Sequence, residues 1–237
     1  MPRARIVAVA IVAFVSSAGC SSSGIAFEYR DSDDYAFSKM DRNAIETIAT
    51  TAARDVRCFL PELPPELRIT IQTGSRVIPE TGETGSIGLP RAIYWTVNPA
   101  HPGGVVSVAR AQLRATLFHE CYHLVREATL TPDSLVDLAV NEGLATAFER
   151  DHGGAATPWG DYDDNIAVWT EELLALPADA PQRDWMFSHP DGRRWIGFKV
   201  GTYLADRAAK ASGLSLSQLA TVPTAQILAW ARRPESH

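Results

Sequence analysis

His119 and His123 stand four residues apart, with Glu120 beside the first, in the run His119-Glu120-Cys121-Tyr122-His123. In an α-helix, residues four apart lie on one face, one turn from each other. Two imidazoles so placed can grip one metal ion. The glutamate between them can hold a water against that ion and take its proton. Zinc suits such donors: it takes nitrogen and oxygen in a tetrahedral array, and its catalytic sites keep one position for water. One helix cannot supply the third ligand without bending, so that ligand comes from another element. Glu142, in Asn141-Glu142-Gly143-Leu144-Ala145, follows His123 after eighteen residues. That gap holds the rest of one helix, a turn and half of a second, antiparallel helix. Asp137, His152 and His189 are the rival third ligands. The chemistry implied is zinc-dependent hydrolysis of a peptide or protein substrate, with Glu120 as general base passing the proton to the leaving amine.

The elements that must position these residues follow from the apolar pattern. Val108 to about Glu127 is helical, with Leu113, Leu117, Cys121, Leu124 and Ala128 as its core stripe. Thr116, His119, Glu120, His123 and Glu127 fall on a different face, so the chemistry is grouped where the stripe leaves room. Thr131-Pro132-Asp133 signals a following helix, with proline at its first position. It runs to about Asp151 and stops before Gly153-Gly154, with Val136, Val140, Leu144, Ala147 and Phe148 inward. Upstream, Ile45, Ile48, Ala49, Ala52, Val56 and Phe59 predict an amphipathic helix over 41–59. Leu67–Thr73 and Ala92–Val97 read as strands, and Thr81–Gly88, with three glycines, as a loop. Helices are predicted over 163–176, 193–211 and 223–232. Gly197 and Gly201, four apart, would let a neighbouring helix come close.

The chain has 237 residues, 46% of them hydrophobic, which suits one globular domain. Its net charge is −6, with no basic patch or run, and this argues against nucleic acid as a partner. Arg3 and Arg5 precede an apolar stretch from Ile6 to Val15. That stretch is shorter than the ~20 residues of a spanning helix and fits an export signal. Ser17-Ala18-Gly19-Cys20 is similar to a bacterial lipobox, with Ser17 where an apolar residue is usual. The organisation expected is a lipoprotein signal over 1–19, lipidation at Cys20, a tether over 20–38 and a catalytic domain over 39–237. The alternative is ordinary cleavage and a secreted or periplasmic product. Neither case leaves a membrane-spanning segment, and in the first the membrane is reached through the lipid anchor only. With Cys20 lipidated, Cys58 and Cys121 either pair as a disulfide or remain buried thiols.

His119 to Arg126 fits H-E-x-x-H-x-x-R, and Asn141 to Ala145 fits an E-G-L-A helix. Trp195-Ile196-Gly197-Phe198-Lys199-Val200-Gly201 looks like a later G-Y-x-x-G helix. In these three places the chain resembles a group of bacterial predicted zinc-dependent proteases. The resemblance implies an α+β, zincin-like, mostly helical fold with a small sheet before the metal helix. It also implies the gluzincin pattern, with His119, His123 and Glu142 on zinc and Glu120 as base. Phe198 stands where that group often has an aromatic hydroxyl, so an oxyanion donor must come from elsewhere; Tyr203, His189 and Arg126 are the candidates. Ala145 and Thr146 follow the glutamate where many gluzincins place an acid that orients a histidine, and Asn141 is the nearest polar substitute. In zincin-like folds an edge strand pairs with extended substrate, a role open to Ala92–Val97.

Overall fold

The computed structural model describes residues 24–234 apart from 90, 163 and 178. The export signal expected over residues 1–19 and the lipidation expected at Cys20 lie outside the described residues.

The first strand, β1 (Ile25–Arg30), alternates half-buried Ile, Phe and Tyr with exposed residues. It begins where a tether is predicted. The tether reading is corrected here, because the period-two alternation of Ile25, Phe27 and Tyr29 supplies one apolar face for a sheet. Ser38 then caps helix α1 (Lys39–Arg57), its hydroxyl accepting from the Asp41 N–H while Asp41 bonds back to the cap. Ile45, Ala49, Ala52 and Val56 form the buried face of α1. Strand β2 (Leu67–Thr73) returns parallel to β1, so β1, α1 and β2 make a crossover unit.

Two further strands complete a four-stranded mixed sheet of order β1-β2-β4-β3. β3 (Glu83–Gly88) is the antiparallel edge strand, and β4 (Ala92–Val97) lies inside the sheet, parallel to β2. This corrects the expectation that Ala92–Val97 is the edge and that Thr81–Gly88 is only a loop. Glycines that discourage a central strand are tolerated at an edge where another chain or side chain comes close. Ile69, Ile71, Ile93 and Trp95 share one core with Ile45 and Ala49 of α1.

Helix α2 (Gly104–Val108) leads through a wider, π-helical turn (Ala109–Leu113) into α3 (Arg114–Arg126). Helix α4 (Leu135–His152) is capped by Ser134, whose hydroxyl accepts from the Asp137 N–H, so the helix starts later than Pro132 suggests. Then come α5 (Ile166–Leu174), α6 (Gln182–Met186), α7 (Ile196–Ser212), α8 (Leu216–Leu219) and α9 (Thr224–Ala231). α4 and α7 are the most intimately packed pair. A Cβ on Gly143 would strike the Gly201 backbone, and one on Gly201 would strike the carbonyl of Ala139. The expected close approach at Gly201 is therefore made, and its partner is the helix that carries Glu142. Gly197 instead receives the sulfur of Met186.

Cys121 is a free thiol buried in the core, so the Cys58–Cys121 disulfide is not formed. Cys58 lies just past the exposed end of α1, whereas Cys121 faces inward from α3. Among the described residues no helix is long and apolar enough to cross a membrane.

Candidate metal centre

Every residue of α3 from Ala115 to Arg126 is buried. The polar face holding His119, Glu120 and His123 is thus not a solvent face; it is enclosed by α4 and by strand β3. α4 runs back past α3 and brings Glu142 to the imidazoles. His119 Nε2 lies 3.0 Å from His123 Nε2 and 3.2 Å from Glu142 Oε2. His123 Nε2 lies 3.4 Å from the same carboxylate oxygen. Ligands bound ~2.0–2.1 Å from zinc in a tetrahedral array sit about 3.3 Å from one another. The three donors therefore already have the mutual spacing that a tetrahedral cation requires. His119, His123 and Glu142 form a group that can hold a metal ion.

The back of each imidazole is also held. His119 Nδ1 is 3.0 Å from Glu149 Oε2, in a pair almost closed to solvent. If Nδ1–H donates to Glu149, the lone pair of Nε2 points at the donor cluster. His123 Nδ1 is 3.5 Å from Glu127 Oε1, and Asn141 Nδ2 donates to that oxygen at 2.9 Å while lying 3.1 Å from Nδ1. Asn141 is thus the polar neighbour of a histidine, as expected. The acid behind the other histidine is Glu149, which sequence reasoning missed. The signal was available: Glu149 follows Glu142 by seven residues, two turns along the same face of α4.

The charges call for a cation. Glu83, Glu120, Glu127, Glu142 and Glu149 all line one cleft with the two histidines. Burial pushes the Glu120 carboxyl up to about 7, although the two imidazoles pull it down. Burial likewise raises Glu83 to about 7, against hydrogen bonds from Thr116 and Trp95. Burial would raise Glu142 too, but His123 and His119 overcome it and hold that carboxyl far below the usual range. Both imidazoles are drawn upward by these carboxylates in spite of burial. Without a metal, protons meet the demand for positive charge; a divalent cation on the same nitrogens and oxygen meets it equally. Two nitrogens and one carboxylate oxygen are donors suited to zinc.

Glu120 is placed by β3. A Cβ on Gly85 would come within 2.5 Å of Glu120 Oε1 and of Thr116 Cγ2, so only glycine lets this strand lie against the carboxylate. Glu83 pins the same strand. Its carboxylate accepts from Trp95 Nε1 at 2.8 Å and from the Thr116 hydroxyl at 2.9 Å. The cleft in front of the donors has a volume of about 720 Å³ and is walled by β3, the β2–β3 connection and the α6–α7 region. An ion pair between Glu80 and Arg194 ties the latter two segments together.

Several predicted site residues are elsewhere. Asp137 bonds the Ser134 cap, His152 stacks on Phe59, and His189 pairs with Asp191. Arg126 is buried and donates to the carbonyls of Leu219, Ala220 and Val222, which fixes the turn between α8 and α9. Tyr203 accepts from Arg207 and packs on Tyr162. None of the three oxyanion candidates lines the cleft, whereas Phe198 does.

Neither a curated protein nor a solved structure matches this chain. A family model described as predicted Zn-dependent protease matches residues 38–229, a span that contains α3, α4 and α7 entire. The resemblance seen in the three motifs is therefore a family relationship, and its cofactor, zinc, agrees with the His119, His123 and Glu142 group. The chain belongs to the predicted Zn-dependent protease family DUF2268.

Proposed function

We propose that this protein is a zinc peptidase of gluzincin type on a zincin-like fold. The observation that carries this reading is the set of three donor separations, 3.0, 3.2 and 3.4 Å, beside a buried glutamate that is not one of the donors. His119, His123 and Glu142 would hold the ion, and Glu149 and Glu127 would fix the two imidazoles. Zinc, when bound, supplies Lewis acidity and brings the pKa of water to about 7. Glu120 takes the proton of the attacking water and returns it to the leaving nitrogen. Its lack of a hydrogen-bonding side-chain partner among the described residues leaves its oxygens available for that work. Water attacks directly, so no acyl-enzyme forms.

β3 supports a peptide as the substrate. Beyond Glu83, which also bridges to Ile78, β3 is paired by β4 alone among the described residues, and Thr84 to Ile87 line the cleft beside Glu120. An extended peptide can add to such an edge, using backbone hydrogen bonds that do not depend on sequence. This role moves from Ala92–Val97 to Glu83–Gly88. The leader at Met1–Gly19 and Cys20 supports a place in a bacterial envelope on a lipid anchor.

The test is Glu120→Gln, an isosteric change that leaves all three donors. The variant should keep one zinc per chain and lose hydrolysis of a broad peptide library by about a hundredfold or more. Equal and negligible turnover by wild type and variant would favour a metal site without catalysis. Cleavage of ester or non-peptide amide panels alone would favour a different hydrolase.

A further inference from the structure

Two guanidinium groups in the cleft have no task in the reading above. Arg76 comes from the β2–β3 connection and Arg183 from α6, on different walls. Both are exposed, and neither has a hydrogen-bond or ion-pair partner among the described residues. Their neighbours differ. Arg193 is held by Asp191 and Glu172, and Arg194 by Glu80. In a chain with 28 acidic and 22 basic residues, two unpaired cations in one concavity call for an explanation.

The same cleft has an aromatic wall. Trp195 packs on Trp159 at 5.3 Å, on Phe198 at 5.7 Å and on Phe187 at 5.9 Å. All four line the cleft, and Phe187 is 49% exposed. Trp195 has a left-handed backbone, with φ at 61°, which is costly for a bulky residue. Its N–H bonds to the Phe187 carbonyl, so the strained residue fixes the wall in place.

We propose that the cleft selects peptides that present a carboxylate close to a large apolar residue. Arg76 and Arg183 receive the carboxylate at the rim, and the aromatic wall receives the apolar side chain. The floor explains why the capture is at the rim. Glu83, Glu120, Glu127 and Glu149 line the cleft around the donor group, so a substrate carboxylate meets negative charge in the depth and positive charge where the arginines stand. Rim capture would then set the register of the chain along β3. The carboxylate can belong to a Glu or Asp side chain or to a free C-terminus. Arginine's planar fork suits either one. This inference rests on the peptidase reading, but it is tested through binding.

The experiment uses three peptides with a central phenylalanine, each carrying an uncharged BODIPY label. One has Glu and an amidated C-terminus, one has Gln and a free C-terminus, and one has Gln and an amidated C-terminus. Anisotropy titrations are made on the Glu120→Gln chain, so that turnover does not intervene. At least one carboxylate peptide should bind about tenfold to a hundredfold more tightly than the neutral one. Which one it is names the source of the carboxylate. Arg76→Gln and Arg183→Gln should each cut that preference, Arg→Lys at the same sites should restore part of it, and salt should weaken it. Unchanged melting temperatures check that these surface variants are folded. Equal binding of all three peptides overturns the proposal, as does a preference that survives both Gln substitutions. A third contrary result is Arg183→Gln lowering kcat on the neutral peptide with its binding unchanged, since the arginine would then serve the reacting centre. A wild-type chain inert to every peptide would sink the peptidase reading while leaving the binding result to stand or fall alone.

Discussion

Glu149 separates holding the metal from building the fold. Its side chain is 4% exposed and meets His119 Nδ1 at 3.0 Å. Glu149→Gln keeps the volume and removes the charge. The amide oxygen can still accept from Nδ1–H, so the loss is the charge-assisted part of one buried hydrogen bond. That is about 1–1.5 kcal/mol, or roughly tenfold in zinc affinity. Glu149→Ala leaves the N–H buried without an acceptor, which costs about 1–3 kcal/mol and up to roughly a hundredfold. An opposing effect must be weighed. Burial lowers the affinity of His119 for a proton, but Glu142 and Glu149 more than offset this and raise it. At neutral pH zinc therefore competes with that proton, and removing Glu149 weakens the competitor. The loss of zinc affinity should therefore be smaller near neutrality and grow as the pH rises and the competing proton is given up. Titration against a chromogenic zinc chelator at neutral and at alkaline pH reads this directly, with melting of the zinc-free proteins as the check on folding. Wild-type affinity in both variants at alkaline pH would refute the role given to Glu149.

Three other outcomes follow from the packing. Gly85→Ala should lower kcat on peptides by about tenfold to a hundredfold with zinc content unchanged, because the new Cβ displaces Glu120 and not the donors; parallel loss of zinc would show that the strand supports the ligands instead. Gly143→Ala should force α4 from α7, with a destabilisation of about 3 kcal/mol or more and a fall of roughly 6–12 °C in Tm by calorimetry. An unchanged Tm would mean that the helices do not meet there. Burial pushes the Cys121 thiol up to about 12, so it stays protonated and unreactive at ordinary pH. Mass-mapped alkylation should label it only in denaturant, and labelling of the native chain would place it outside the core.

Much of the site could be read in the sequence because helices carry chemistry at fixed spacing. His119, Glu120 and His123 needed only the helical period, and Glu142 needed only the length of an antiparallel return. Glu149 was missed because it is set by a second period on α4, beyond the motif. Glu83 and Gly85 were missed for another reason. Their meaning depends on the pairing of β3 with β4 and on its contact with α3, which no local pattern encodes. The same holds for β1, whose alternation is genuine but short and set in an acidic stretch where a tether was expected. Spacing alone left the pairing of Cys58 with Cys121 open, and only the packing around α3 shows the Cys121 thiol to be free and buried.

What surrounds the bound ion is the most direct test of the donor set. Zinc K-edge X-ray absorption of the metal-loaded chain should show only nitrogen and oxygen near ~2.0–2.1 Å, with two imidazole signatures, and Glu142→Ala should change that shell and weaken binding. A sulfur ligand, a single imidazole, or a shell indifferent to Glu142→Ala would contradict it.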